Sequence, residues 1–143
     1  TRACSNLQSC CFIQNGGRFK TQPLPILAQL APVNAIICAD FNADGHTDIL
    51  IAGNSFSANI SSGRYDAGYG LLLTGDGVGR FVPMPADRSG FYVRGVVQSL
   101  VSLTLSSGKK CVLAGIHNGP IRVFDSTLSD EKKPPPESQK ALL

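Results

Sequence analysis

Hydrophobic residues occur along this chain in short runs separated by turns rich in Gly, Asn, Asp and Pro, and a helical period is almost absent. Runs at 11–14 and 18–20 flank an Asn-Gly-Gly turn and predict a β-hairpin. Two longer apolar runs, at 33–39 and 48–53, predict strands on either side of a polar loop. The pattern therefore predicts an all-β protein of short strands.

The second half of the chain continues this alternation. Strands are predicted at 69–74, 80–83, 95–105 (as one strand or two), 111–115 and 121–124. A polar, Ser-rich insertion at 54–66 precedes them, and a turn at 117–119 separates the last two. After Asp125 the composition shifts to Ser, Asp, Lys and Pro, so residues 126–143 are predicted to be a disordered tail or linker.

Two elements occur twice, at a spacing of about 60 residues. The Gly-Gly-Arg-Phe turn at 16–19 matches Gly-Val-Gly-Arg-Phe at 77–81, and the strand at 48–54 resembles the segment 110–116. A four-stranded unit recurring at this interval is typical of β-propeller blades. The predicted fold is thus a partial β-propeller of about two and a half blades: a partial blade at 1–28, a full blade at 29–88 and a partial blade at 89–125.

Composition limits the function classes. At 143 residues and 43% hydrophobic content the chain can bury one modest core, and 15 Gly with 9 Pro favour a turn-rich β protein. The net charge of +3 is spread along the chain without a basic cluster, so we do not expect nucleic acid as a partner. No apolar stretch approaches the ~18–20 residues of a membrane span.

The five cysteines have no CxxC pair and no zinc spacing. Cys38 and Cys111 lie in apolar runs and are predicted to be small, buried hydrophobic residues. A disulfide between Cys4 and either Cys10 or Cys11 stays open for an oxidising compartment.

The most specific chemistry lies in the loop at 40–48. Oxygen-bearing side chains stand at its positions 1, 3, 5 and 9, and a glycine at position 6 allows a sharp turn. Ca²⁺ takes six to eight oxygen ligands at roughly 2.3–2.6 Å, and a solvated Asp/Asn turn is the less specific alternative. The predicted ligands are the side chains of Asp40, Asn42, Asp44 and Asp48 and the backbone carbonyl of His46. An EF-hand loop has Glu at position 12 and is followed by a helix. Here a predicted strand follows and position 12 is Ile51, so the loop is not an EF-hand.

The sequence contains no recognisable pair of nucleophile and base and no acid–base pair. His46 and His117 lie in a loop and a turn and are expected to be turn residues rather than bases. Asp66 is expected to form a buried ion pair with Arg64, and contact with the ion or a ligand from the rim of the blade is the alternative. Neither a G-x-S-x-G elbow nor a phosphate loop is present, so we expect no enzymatic activity.

With these motifs, the segment 16–124 resembles the FG-GAP/VCBS repeat family of integrin-α-like β-propellers, in particular the C-terminal blades of secreted proteins from Bacteroidetes-type bacteria. The resemblance is carried by the D-x-[DN]-x-D-G-x-x-D loop at 40–48 with its apolar strand, and by the G-D-G-x-G-x-F turn at 75–81. It implies that the loop binds Ca²⁺ and pins a blade edge. At 94–98, taken as the equivalent place in the last blade, no carboxylate is present, so no ion is expected there.

The resemblance also implies a function. We expect a secreted, non-catalytic, calcium-stabilised module for protein or carbohydrate binding or scaffolding, located outside the cell or on a bacterial cell surface. The alternative is the propeller part of a larger extracellular, hydrolase-associated enzyme. Because propellers close with roughly four to eight blades, we expect this chain to contact the remaining blades of a longer parent chain or to self-associate.

Overall fold

The fold consists of short antiparallel strands. The computed structural model describes residues 6–56 and 63–125. Its strands are β1 (Cys10–Asn15), β2 (Arg18–Pro23), β3 (Val33–Ala39), β4 (Asp48–Gly53), β5 (Leu71–Gly75), β6 (Phe81–Met84), β7 (Val97–Thr104), β8 (Lys110–Ile116) and β9 (Arg122–Asp125). A single 3-10 turn at Ile26–Gln29 and one helical turn at Ala86–Ser89 are the helical elements of the described residues. The predicted all-β class is confirmed.

These strands form three open antiparallel sheets. The first sheet is the β1–β2 hairpin, the second has the order β3-β4-β5-β6, and the third has the order β7-β8-β9. They fall within the ranges 1–28, 29–88 and 89–125 that the sequence pattern outlined. The predicted tail at 126–143 lies outside the described residues. None of the three sheets closes on itself.

Two strands begin two residues later than the sequence pattern predicted. The strand predicted at 69–74 begins at Leu71, and the segment 95–105 forms one strand that begins at Val97. Gly70 has φ of +79° and Gly95 has φ of +100°. Because a left-handed residue turns the chain out of the extended conformation, neither strand can begin before its glycine.

The central sheet is packed on both faces. On one face Ile49, Ile51 and Leu73 pack with Ala28 of the 3-10 turn and with Cys11 of β1. On the other face the core joins the central sheet to the third sheet, through the side chains of Leu50, Ala52, Leu72, Val97, Val112 and Phe124. Every residue of β4 is buried as a result. Burial on both faces explains why β4 reads as a continuous apolar run instead of an alternating one.

The repeated strands of the second and third sheets align differently in the structure and in the sequence. A β-bulge places one extra residue, Asn34, between Val33 and Ala35, and a second bulge places Gln98 between Val97 and Ser99. The N–H groups at the ends of β4 and β8 make matching bonds: Asn54 donates to the carbonyl of Pro32 (3.0 Å) and His117 to that of Val96 (2.8 Å). The bulges and bonds make Asn54 equivalent to His117 and, by the same spacing, Asp48 equivalent to Cys111.

The match of 48–54 with 110–116 was therefore wrong by one residue. A shift of one residue exchanges the two faces of a strand. In the structural register Ile49 and Ile51 correspond to Val112 and Ala114. The first pair faces the hairpin and the second pair faces the central sheet. Each sheet thus turns the equivalent face towards the sheet that precedes it.

The structural register also changes which segment of the third sheet is equivalent to the predicted calcium loop. Residues 94–98 precede or begin β7, whereas the counterpart of the β3–β4 loop is the β7–β8 loop at 105–109. That loop contains Ser106, Ser107 and Gly108 and no carboxylate. That the third sheet binds no ion at the equivalent loop stays a prediction, and it now rests on residues 105–109 instead of 94–98.

The four described cysteines differ in how far their side chains are exposed. Cys111 is buried, as predicted, but Cys38 is exposed, and that part of the prediction was wrong. Cys38 lies in β3, an edge strand that pairs only with β4 within its sheet, so the neighbouring strand covers it from one side only. Cys10, Cys11, Cys38 and Cys111 are free thiols. Cys4, and the disulfide considered for it, lies outside the described residues.

Candidate functional site

The loop between β3 and β4 turns sharply through two left-handed residues. Ala43 has φ of +61° and Gly45 has φ of +84°. Gly45 adopts this conformation without a steric penalty, as the sequence predicted for position 6 of the loop. Two adjacent antiparallel strands hold the ends of the loop, because Ala39 pairs with Asp48.

The oxygen atoms of three predicted ligands accept hydrogen bonds from the loop backbone. The Asp44 N–H donates to Asp40 Oδ1 (3.2 Å) and to Asn42 Oδ1 (3.1 Å). Further donors are the Gly45 N–H, to Asp40 Oδ2 (2.9 Å), and the His46 N–H, to Asp44 Oδ1 (2.8 Å). The Asn42 amide also donates to Asp44 Oδ2 at 2.8 Å. These bonds gather Asp40, Asn42 and Asp44 around one exposed turn.

Asp48, the fourth predicted side-chain ligand, lies in a different environment. Its side chain is fully buried, with an exposed fraction of 0%. Oδ2 accepts a hydrogen bond from the Phe41 N–H (2.9 Å) and Oδ1 accepts one from the Gly75 N–H (2.9 Å). Asp48 therefore ties the beginning of the loop to the end of β5, a structural role that sequence reasoning missed.

A second turn, at 75–80, lies beside the first. Asp76 Oδ1 accepts hydrogen bonds from the N–H groups of Val78 and Arg80, both at 2.9 Å. The ring of His46 lies against Gly77, since a Cβ atom on that glycine would come within 2.5 Å of His46 Nδ1. His46 thus contributes its ring to the contact between the two turns, which agrees with its interpretation as a turn residue.

The backbone bonds also affect the acidity of two carboxylates. The N–H of His46, followed by the Asn42 amide, lowers the pKa of Asp44 below its ordinary value of 3.8. The N–H groups of Arg80 and Val78 lower the pKa of Asp76 in the same way. The stabilisation from these bonds is fully present above the ordinary value and is lost as pH falls through the lowered one.

The loop offers hard oxygen donors and no soft ligand. Among residues 6–56 and 63–125, no group of three or more His, Cys, Asp or Glu side chains is arranged for a metal ion. The predicted ligand set at 40–48 includes one amide, Asn42, and one backbone carbonyl, that of His46, beside the carboxylates. Oxygens that accept a single N–H keep a second lone pair. This chemistry suits Ca²⁺ better than a transition metal.

A second candidate site is an apolar cavity of about 170 Å³ at the other end of the central sheet. It lies between the 3-10 turn, the strands β3 to β5 and the segment 67–70. Its lining includes Leu27, Leu30, Val33, Ile51 and Tyr69. Sequence reasoning missed this cavity because three segments that are distant in the chain form its walls.

One wall of the cavity belongs to an exposed aromatic stack. The rings of Tyr69 and Tyr92 are parallel, with centroids 5.2 Å apart and an interplanar angle of 7°. The Arg94 guanidinium lies 5.7 Å from the Tyr92 centroid, and its Nε donates to the Tyr92 hydroxyl at 3.0 Å. The stack places aromatic surface and a positive charge next to the apolar cavity.

The two remaining predictions on charged and polar residues have different outcomes. Arg64 does not form the buried pair predicted with Asp66: both residues are exposed, and Arg64 lies over the Phe56 ring, 5.2 Å from its centroid. His117 lies in the turn after β8, as predicted, with Nδ1 3.3 Å from the Gln98 amide nitrogen.

Comparisons with known proteins identify no relative. The chain matches no family model, no curated protein and no solved structure. In the described part of the chain, neither helical element has the length and apolar character needed to cross a membrane.

Proposed function

We propose that this chain is a non-catalytic, calcium-stabilised module of the FG-GAP/VCBS β-propeller type that binds a protein or carbohydrate ligand outside the cell. The observation that carries the proposal is the set of oxygens from Asp40, Asn42 and Asp44 gathered around the turn between β3 and β4. Oxygen donors fixed in this way match the requirements of a hard cation.

The packing of the sheets supports the propeller part of the proposal. Successive sheets of a propeller are related by rotation, so each must turn the same face towards its predecessor. The equivalent pairs Ile49/Ile51 and Val112/Ala114 both face the preceding sheet. In this arrangement the described sheets are consecutive blades, of which only the central one has four strands.

Five residues of the loop would hold the ion: Asp40, Asn42, Asp44 and Asp48 through side-chain oxygens and His46 through its backbone carbonyl. When bound, Ca²⁺ supplies positive charge that offsets the repulsion between the carboxylates. Asp48 has a second function, because its two hydrogen bonds fix the loop relative to β5. The loop residues thereby rigidify the junction of three strands.

The calcium proposal predicts a response that depends on Asp44. Calcium should raise the thermal midpoint of unfolding and release or absorb heat in calorimetric titration. A ligand at 100 times its Kd adds about 2.7 kcal/mol when only the folded state binds it. Asp44→Ala should abolish both signals, because Asp44 supplies an exposed carboxylate at the centre of the oxygen set.

Asp76→Ala provides the matched control. Asp76 is also exposed and accepts two backbone N–H bonds in the neighbouring turn, but it does not belong to the ligand set. This variant should keep the calcium response. Equal calcium responses in Asp44→Ala and the unmodified chain would contradict the assignment, whatever their effects on stability.

The apolar cavity and its aromatic wall support the binding part of the proposal. Exposed aromatic rings can pack against the C–H faces of sugars or the apolar side chains of a protein, and tyrosine is enriched at such contacts. Tyr69 combines a position in the cavity wall with 45% exposure. The proposed ligand therefore contacts the module at Tyr69 and Tyr92.

Screening glycan arrays and peptide libraries with the purified chain tests this site. Tyr69→Ala should weaken any ligand found by at least about 10-fold, as expected for an aromatic anchor. Tyr65→Ala is the control, because Tyr65 is 50% exposed but does not line the cavity. Equal losses from both variants would place the ligand elsewhere.

A further inference from the structure

Cys11 lies at the interface between the β1–β2 hairpin and the central sheet, and Cys38 lies in a strand of that sheet. Cys38 in β3 is the direct register partner of Ile49 in β4, so both side chains are on the same face of the central sheet. Ile49 belongs to the core cluster on that face, and Cys11 of β1 packs against the same cluster. Cys11 and Cys38 therefore approach the same interface from opposite sides.

The environments of the two thiols are different. Cys11 is half-buried and Cys38 is exposed. Burial raises the pKa of Cys11, and the nearby thiols of Cys10 and Cys38 raise it further. The electrostatic effect of Cys38 on Cys11 agrees with the proximity that the packing indicates.

The orientation of β1 separates Cys11 from its neighbour Cys10. Side chains alternate between the two faces of a strand. Ile13 shares the face of Cys11 and lies against Gly79 in the turn between β5 and β6, where an added Cβ would clash with Ile13 Cδ1. Cys10 thus lies on the face shared with Phe12, which is 67% exposed. Within the described residues, Cys11 is the β1 thiol directed towards Cys38.

We propose that Cys11 and Cys38 form a disulfide that joins β1 to β3 when the protein is in an oxidising environment. Disulfides between packed sheets are known in β-sandwich domains. The hairpin has a particular need for such a bond. Among the described residues it pairs with no strand of another sheet, and its strand β2 is almost entirely exposed.

The oxidant is a small disulfide such as oxidised glutathione. The exposed Cys38 thiolate attacks one sulfur of this oxidant, breaks its S–S bond and releases one glutathione thiolate. The Cys11 thiolate then attacks Cys38 Sγ in the mixed disulfide and displaces the second glutathione. Two cysteine thiols are oxidised, one glutathione disulfide is reduced, and the two protons from the cysteines end on the two glutathione thiols.

The experiment uses the full chain carrying Cys4→Ser and Cys10→Ser, which leaves Cys11, Cys38 and Cys111. After incubation in a glutathione redox buffer and alkylation of free thiols, tryptic peptides are analysed by mass spectrometry. We expect one linked species that joins peptide 3–18 to peptide 21–64, with Cys111 alkylated. Cys111→Ser should leave this species unchanged, and Cys38→Ser should remove it.

A stability measurement separates a folded-state bond from incidental oxidation. Since the bond closes the chain from residue 11 to residue 38, the oxidised chain should show a Tm about 5–15 °C above the reduced chain. Cys38→Ser should show no difference between the two conditions. Fully alkylated Cys11 and Cys38, a disulfide that includes Cys111, or a disulfide-linked dimer in place of the internal bond would each overturn the proposal.

Discussion

Replacing Asp48 by alanine is expected to lower the free energy of unfolding by about 3–5 kcal/mol. The carboxylate is fully buried, and each oxygen accepts one backbone N–H, from Phe41 or from Gly75. Alanine would leave both donors buried without a partner, and each such donor costs about 1–3 kcal/mol. Urea denaturation in the presence of a calcium chelator measures the change without a contribution from the ion.

Two further variants separate the structural role of Asp48 from its proposed role as a calcium ligand. Asp48→Asn keeps one acceptor oxygen in nearly the same volume and should cost about 1–3 kcal/mol. Asp44→Ala removes an exposed carboxylate, so in chelator it should change stability less than Asp48→Ala does. Equal destabilisation by Asp48→Ala and Asp44→Ala in chelator would contradict the proposal that the hydrogen bonds of Asp48 fix the loop relative to β5.

Leu73→Ala is expected to cost about 2–5 kcal/mol of unfolding free energy. Leu73 lies in β5, has an exposed fraction of 0% and packs with Ile49 and Ile51 in the core beneath the hairpin. Removing its side chain leaves a cavity in the sheet that carries both neighbouring sheets. Leu103→Ala is the control, because Leu103 is also in a strand but is 40% exposed.

The same urea titrations test this pair of variants. Leu103→Ala should change stability by less than about 1 kcal/mol. Because Leu73 does not belong to the loop at 40–48, Leu73→Ala should also retain calcium binding at temperatures where it is folded. A loss in Leu73→Ala as small as that in Leu103→Ala would contradict the described core.

Local chemistry made much of this fold predictable from sequence. The Asn-Gly-Gly turn after β1 and the Gly-rich turn at 75–80 mark hairpins, because glycine accepts the positive φ that tight turns need. Apolar runs gave β3, β4 and β8 nearly to the residue. The strands predicted to begin at residues 69 and 95 begin at Leu71 and Val97, because Gly70 and Gly95 are left-handed. A pattern of apolar residues does not reveal this conformation.

The register between repeats could not be predicted in the same way. The segments 48–54 and 110–116 look alike as letters, yet the bulges at Asn34 and Gln98 shift their equivalence by one residue. Hydrogen bonds between strands determine this shift, and no single strand contains that information. The exposure of Cys38 likewise depends on β3 being a sheet edge, which the sequence of β3 does not specify.

The strand-and-turn content and the spacing of the oxygen donors in the β3–β4 loop follow from the sequence alone, because both depend on residues close together in the chain. The three-dimensional packing, by contrast, buries Asp48 beneath that loop, stacks Tyr69 and Tyr92 beside a cavity, and places Cys11 against the face of the central sheet that carries Cys38. Each of these features joins segments that are distant in the chain, and their contact depends on how the strands pair and the sheets pack.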